Sequence, residues 1–333
     1  MTVASGKQRG LRALCDERGV IAALAIDQRD ALRKLFAKAT GLPTDKVPAQ
    51  KISEFKEHVS RILTPYASAI LLDPEYGLPA AAKRDSRAGL LLAYEQTGYD
   101  RAVPGRLPRL LDGFSVARLK KEGADGVKVL LYYSPFSTNS INVTKQEWVE
   151  HVGAECLAAD VPFFLELVSY HDELDEKSPE FARIKPEAVT RSVEEFCHPR
   201  YAVDVLKVGI PVSMRFVQSS VLPRGQALYT RAEARAYFQR ASQAASLPFI
   251  YLSEGVSNDV FADALAIAAE AGSAFSGVLC GRATWQDGVA VFAGLGSGAL
   301  QEWLQTQGVR NIRNINACLA GARPCFANAP IQS

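Results

Sequence analysis

Hydrophobic and polar positions follow two periods along the chain. Short runs dominated by Val, Ile, Leu, Ala and Phe occupy 19–27, 68–73, 89–95, 125–133, 162–168, 202–210, 248–254 and 276–281. Runs this apolar over so few residues read as parallel strands covered on both faces. The stretches 53–67, 115–123, 144–160, 186–197, 231–245 and 257–272 instead repeat apolar residues every three or four positions, the helical spacing. Eight strands with helices between most of them predict a (β/α)8 barrel, the TIM-barrel class of α/β fold. No linker, repeat or low-complexity segment divides the chain, so residues 1–333 are expected to form one domain, with an extra helical segment from about 298. The link between the second and third strands is short and poorly helical. An open doubly wound sheet is the competing arrangement, but no GxGxxG follows the first strand.

Three of the apolar runs each carry a single charge that they should not tolerate. Lys128 stands in GVKVLLYY, Glu166 in PFFLELV and Lys207 in VDVLKVGIPV. A lone buried charge is costly unless it is paired or used. In a (β/α)8 barrel the strand C-termini form one reaction surface. The other strand ends carry Asp27-Gln28-Arg29, Asp73-Pro74-Glu75, Glu95, Ser253-Glu254-Gly255 and Gly281-Arg282.

Two lysines and a glutamate on successive strands suit Schiff-base chemistry. An amine attacks a ketone only when neutral, so a lysine has to fall from a reference pKa of about 10.4 towards 7 to 8, a shift worth about 4 kcal/mol. Burial and a nearby second cation both act in that direction. On the residues alone either Lys128 or Lys207 can be the nucleophile, with the other as the depressing cation and Glu166 passing protons between. A purely structural Lys–Glu–Lys network is the bland alternative, and three such charges on adjacent strands weigh against it.

The seventh and eighth strand ends point to a phosphate. Ser253, Gly255 and the N-cap candidate Ser257 surround one helix start, and Gly281 and Arg282 another; backbone N–H groups and a guanidinium both favour an anion. A small-molecule substrate that carries a phosphate is expected from this.

Composition removes other classes. Of the 333 residues 48% are hydrophobic and 22% charged, with a net charge of +2 and basic residues scattered rather than clustered, so no nucleic-acid footprint appears. No run approaches the ~20 apolar residues of a membrane span, and the N-terminus has no signal-peptide core, which predicts a cytoplasmic protein. Six widely spaced cysteines form no CxxC pair, and His58, His151, His171 and His198 fall outside the predicted strand ends. Neither a metal nor another cofactor is therefore expected. A homo-oligomer is compatible with the sequence, which does not set the oligomeric state. A metal-dependent aldolase or hydrolase, and a non-catalytic barrel that binds sugar phosphates, are the alternatives from other classes.

The motifs ALAIDQR, ILLDPEYG, GVKVLLYY, FFLELVSY, VDVLKVGIPV and LCGRATW resemble, in order and spacing, the class I tagatose 1,6-bisphosphate aldolases over roughly residues 8–320. The resemblance implies a metal-free barrel lyase that cleaves a ketohexose bisphosphate to dihydroxyacetone phosphate and glyceraldehyde 3-phosphate. It makes Lys207 the Schiff-base lysine and Glu166 the general acid/base. Asp27, Gln28 and Lys128 would meet the substrate's hydroxyls and reacting centre, and Ser253, Gly281 and Arg282 its phosphate. One position departs from the pattern: two residues after the lysine, where the family commonly has an acid, this chain has Gly209. The related sulfofructose-phosphate aldolases stay open on that account.

Overall fold

The computed structural model of the chain describes residues 5–100, 102–218 and 227–326. Eight parallel strands close into a barrel in chain order. They are β1 (Ile21–Ala25), β2 (Ala69–Leu72), β3 (Gly89–Ala93), β4 (Gly126–Tyr133), β5 (Phe163–Ser169), β6 (Val205–Val208), β7 (Phe249–Leu252) and β8 (Gly277–Cys280). Each predicted apolar run forms its strand, and β8 pairs with β1 to seal the cylinder, with Gly277 opposite Ile21.

The helices are α1 (Gly6–Leu14), α2 (Asp30–Thr40), α3 (Ala49–Leu63), α4 (Leu78–Ala81), α5 (Val116–Lys121) and α6 (Asn139–Ala159). They continue with α7 (Pro179–Phe196), α8 (Arg231–Ala244), α9 (Asn258–Glu270), α10 (Arg282–Trp285), α11 (Gly288–Trp303) and α12 (Val309–Ala317). Among the described residues no helix is long and apolar enough to cross a membrane.

Successive strand residues point to opposite sides, which splits the apolar residues into two cores. Ala22, Leu24 and Ile26 of the first strand region face outward to the helices. Ile21, Ala23 and Ala25 face inward, together with Leu71, Leu91, Phe164, Val205, Ile250 and Leu279. Leu14 of α1 joins this inner core and plugs the N-terminal mouth of the barrel. The barrel is thus packed at its base, and free space remains at the strand C-termini.

The helices depart from expectation at several points. α1 and α2 are absent from the sequence reading, and α2 starts only five residues past β1, where strand and helix periods run together. The helix expected from 186 begins at Pro179 and carries Pro186 inside it. Proline removes the N–H that would bond the carbonyl four residues back. Here that carbonyl, of Ala182, accepts from the Tyr229 hydroxyl at 2.6 Å instead, so the interruption leaves no orphan. At the C-terminus, helix is in place from Gly288, ten residues before the expected segment, and a π turn at Leu304–Gly308 joins α11 to α12. The link between β2 and β3 holds only the four-residue α4.

Candidate active site

The barrel interior changes from apolar to charged in a single step of two residues along the strands. Inward Ala25 is followed by Asp27, Ala93 by Glu95, Phe164 by Glu166 and Val205 by Lys207. Register then sets the neighbours: Glu166 lies opposite Leu130 on β4 and Lys207 on β6, and Lys128 lies between Ala93 and Phe164, one layer deeper.

From that layer the Lys128 ammonium reaches three carboxylates at once. Its Nζ is 2.8 Å from Asp27 Oδ2, Glu95 Oε1 and Glu166 Oε2. Lys207 Nζ is 2.8 Å from the same Glu166 oxygen. Arg29 adds a third cation, 3.7 Å from Glu95 Oε1, and its guanidinium also donates to the Glu95 carbonyl at 2.8 Å and to Glu75 Oε2 at 2.6 Å. Asp27, Glu95 and Glu166 therefore balance Lys128, Lys207 and Arg29. Buried charge demands such neutrality, because an unpaired buried ion costs several kcal/mol, of order 3–5 when a partner is removed.

The protonation states follow from competition between burial and these partners. Burial favours a neutral Lys128, but Asp27, Glu166 and Glu95 outweigh it and hold the ammonium well above its ordinary range. Burial pushes the carboxyls of Asp27 and Glu166 up, and Lys128 and Lys207 outweigh it in turn, so both stay below the usual carboxylate range. Lys128 is consequently a fixed cation. The alternative in which Lys128 is the depressed nucleophile needs the opposite shift.

A cavity of about 660 Å³ opens over this cluster. Asp27, Gln28 and Glu166 reach its surface, as do Gly255 and Arg282. Lys128, Lys207, Ser253 and Gly281 do not: Lys207 is paired with Glu166, and Ser253 and Gly281 precede the lining residues Gly255 and Arg282 by two positions and one position. Seven Arg and Lys residues line the cavity against five Asp and Glu, an excess of positive charge that favours an anionic ligand. Gln28 donates to Asp27 Oδ1 at 3.2 Å, while its buried Oε1 has no hydrogen-bond partner among the described residues and is a ready acceptor.

The expected anion site is assembled from side chain more than from helix starts. The guanidinium of Arg282 lies flat against Gly255, where a methyl group would stand 2.6 Å from its central carbon, and Gly255 has a left-handed φ of 80°. Any other residue there would push Arg282 away. α10, which begins at Arg282, is a single turn, and Ser257 occupies the N-cap of α9 without a side-chain capping bond.

Sequence reasoning gave Glu95 and Arg29 no role and passed over Arg106 and Lys185. Glu95 and Arg29 were visible at strand ends, and the two-residue step from Ala93 marks Glu95 as inward. Arg106 is held at the mouth by Tyr99, Tyr132 and Tyr170, with ring centroids 5.0, 5.5 and 4.6 Å away, and by Glu176 at 2.6 Å. Lys185 comes from α7, and a helical lysine carries no local sign that it faces a cavity. At Gly209 the space of the missing side chain is filled by the Glu254 carboxylate. Among the described residues no three His, Cys, Asp or Glu side chains are grouped to hold a metal ion.

Residues 21–287 match the model of the DeoC/LacD family aldolases, a span that runs from the first strand past the eighth. The chain belongs to this family of aldolases. It is 51% identical to tagatose 1,6-diphosphate aldolase 2 of Enterococcus faecalis (strain ATCC 700802 / V583), over 96% of this chain and 95% of that one. It is 47% identical to tagatose 1,6-diphosphate aldolase of Listeria monocytogenes serotype 4a (strain HCC23), over 97% and 94%. The fold is shared with fructose-bisphosphate aldolase from Plasmodium falciparum, at a TM-score of 0.69 and 13% identity over 96% of this chain and 94% of the other. A Schiff-base-forming fructose-1,6-bisphosphate aldolase is similar at a TM-score of 0.56 and 12% identity, over 92% and 97%.

Proposed function

We propose that this aldolase cleaves a ketohexose 1,6-bisphosphate, tagatose 1,6-bisphosphate, to dihydroxyacetone phosphate and glyceraldehyde 3-phosphate through a Schiff base on Lys207. The observation that carries the proposal is the Glu166 carboxylate held 2.8 Å from both ammoniums, with Lys128 committed to three carboxylates and Lys207 to one. Lys207 is the amine that can be released for attack.

In the proposed cycle Glu166 takes a proton from Lys207, and the free amine adds to the C2 ketone. The adduct nitrogen passes one proton to the new alkoxide oxygen, which leaves a neutral carbinolamine, so Glu166 has lost one of the two cations that depress it and retains its proton more readily. It gives that proton to the departing hydroxyl, water leaves, and the iminium restores the positive charge. Glu166 then accepts the C4 hydroxyl proton, the C3–C4 bond breaks, and the electron pair flows into the iminium to form an enamine as the aldehyde departs. Protonation at C3 and hydrolysis return dihydroxyacetone phosphate and Lys207. Throughout, Lys128 keeps Asp27, Glu95 and Glu166 in place. Gln28 and Asp27 meet substrate hydroxyls, and Arg282, backed by Gly255, Ser253 and Gly281, holds a phosphate. The cycle needs no metal or cofactor. A doubly phosphorylated sugar does not cross a bilayer unaided, which supports a cytoplasmic enzyme.

The test is borohydride trapping with dihydroxyacetone phosphate and mass mapping of the modified peptide. The adduct should fall on Lys207, and Lys207→Ala should abolish trapping and turnover together. An adduct on Lys128 would reverse the two roles, and turnover that stops with a chelator and yields no adduct would sink the Schiff-base reading.

A further inference from the structure

The chain past α12 closes the base of the barrel, at the end remote from the cavity. Two main-chain bonds pin it there: Arg323 N–H donates to the Phe275 carbonyl at 2.9 Å, and Cys325 N–H to the Gly19 carbonyl at 2.8 Å. Gly19 has a left-handed φ of 76°, and a methyl group on it would stand 3.0 Å from Pro324 Cβ, so this tail lies against the turn that leads into β1. Cys325 is 5% exposed and belongs to the inner core that Leu14 plugs.

Cys15 meets Cys325 at this point. It caps the C-terminus of α1, where its N–H donates to the Arg12 carbonyl at 3.2 Å, and it packs against the inner core. Its thiol shares a hydrogen bond with the thiol of Cys325. Nearly the whole chain separates the two residues, yet their main chains are both fixed and their sulfurs are in contact, which is what a bridge requires of the backbone. Cys15 also lines a surface recess of about 500 Å³ with Arg18, Thr64, Tyr66, Ser68 and Arg87. A small solute can therefore reach one thiol of the pair while the core covers the other. An open thiol beside a covered one is the arrangement in which the first is oxidised and the second resolves it.

We propose that Cys15 and Cys325 form a modification site, at which a peroxide joins them in a disulfide that ties the C-terminal tail to α1 and locks the base of the barrel. Cys15 gives its proton to water, its sulfur attacks one peroxide oxygen, and the O–O bond breaks. This leaves a sulfenic acid on Cys15 and a hydroxide ion that takes up the released proton. The Cys325 sulfur then attacks the sulfenic sulfur, the S–O bond breaks, and the hydroxyl leaves as water with the Cys325 proton. Two thiols are oxidised and one peroxide is reduced to two waters, with no further reactant. The hydrogen bond to Cys325, burial and the Asp16 charge push the Cys15 thiol up, which keeps the attacking thiolate scarce and closure slow. The pair is thus a latch set by sustained oxidant. A bridge that closes nearly the whole chain restricts the unfolded state more than one that closes a short loop.

The experiment exposes the full chain to hydrogen peroxide, quenches with catalase, blocks the remaining thiols with iodoacetamide and maps unreduced peptides by mass, with Tm measured before and after. The parent should yield a linked pair of peptides holding Cys15 and Cys325, two hydrogens lighter than the separate peptides. Its Tm should rise by about 5 °C and fall back with dithiothreitol. Cys15→Ala and Cys325→Ala should each lack that rise. Both thiols alkylated after exposure, Cys15 carried on to a sulfinic acid, or either cysteine linked elsewhere overturns the inference. A bridge between Cys15 and Cys325 that leaves Tm unchanged overturns the latch. Where an alanine variant does not fold, the mapped peptides and the dithiothreitol reversal in the parent decide alone.

Discussion

Two regions of this aldolase bury a lysine completely, and they treat it in opposite ways. At the barrel mouth Lys128 meets Asp27, Glu95 and Glu166 at 2.8 Å each and is held well above its ordinary range. In the outer shell Lys145 of α6 donates to the Tyr170 hydroxyl at 2.9 Å, with its Nζ 4.5 Å from the ring centroid. Burial pushes its ammonium down to about 7, and Asp172 offsets this only in part. Lys56 stands between the two. It pairs directly with Asp73, with Asp27 acting from farther off, and there burial, helped by Arg29, outweighs both carboxylates and lowers the ammonium. The number of carboxylates within reach, more than the depth of burial, decides the state of a buried lysine. The mouth is built to keep charge, and the shell to shed it.

The sharpest break in that contrast is Lys128→Met. Removing the hub leaves three buried carboxylates with fewer cations, and stability should fall by about 3–5 kcal/mol. Turnover should fall far more than trapping on Lys207, since Lys128 is a charge partner. Urea unfolding and trapping measured on one preparation check both. A variant as stable as the parent would mean that the carboxylates take up protons at little cost.

Glu166→Gln keeps the size of the side chain and removes its base. The fold should persist while kcat falls by about 10²- to 10⁴-fold, the scale of a lost general acid/base. Stopped-flow or steady-state cleavage of the bisphosphate measures it, and activity within a fewfold of the parent would remove Glu166 from the mechanism.

Arg282→Ala tests the cavity wall rather than the hub. A charge-assisted contact worth about 1.5–3 kcal/mol should appear as a rise in KM of roughly 10- to 100-fold with kcat little changed. The loss should shrink for an analogue without the phosphate held there. Equal losses for both substrates would make Arg282 structural and move the phosphate to Ser253 and Gly255.

The smallest effect belongs to the shell. A lysine whose folded pKa lies below its unfolded one loses its proton on folding, so its contribution to stability rises with pH from about 7 to about 10.4 and is lost as pH falls through 7. Lys145→Met should flatten that part of the stability profile, seen as Tm against pH, and leave turnover within about twofold. A profile identical to the parent's would show that Lys145 stays charged.

Much of this molecule was legible along the chain. Apolar runs located all eight strands, since a strand covered on both faces must be apolar throughout, and a charge inside such a run stands out. Lys128, Glu166 and Lys207 were found in that way, and Asp27, Gln28 and Arg282 by their place at strand ends. α1 and α2 were not; nor were the first two turns of α7, because Pro186 imitates a helix start and Tyr229, a residue from another unit of the barrel, supplies its missing partner.

The sequence by itself therefore determined the architecture and most of the charged side chains at the mouth. Only the tertiary structure decided their relations. Which lysine is surrounded by three carboxylates depends on strand register and on β1 closing against β8, and these bring Asp27 within 2.8 Å of Lys128 across 101 residues of chain. The same holds for Glu254, which reaches the space above Gly209 because a left-handed turn and a helical lysine converge there. Hydrophobic period is a local property that each segment carries alone, whereas the pairing of buried charges is set by side-chain reach across elements and has no local trace.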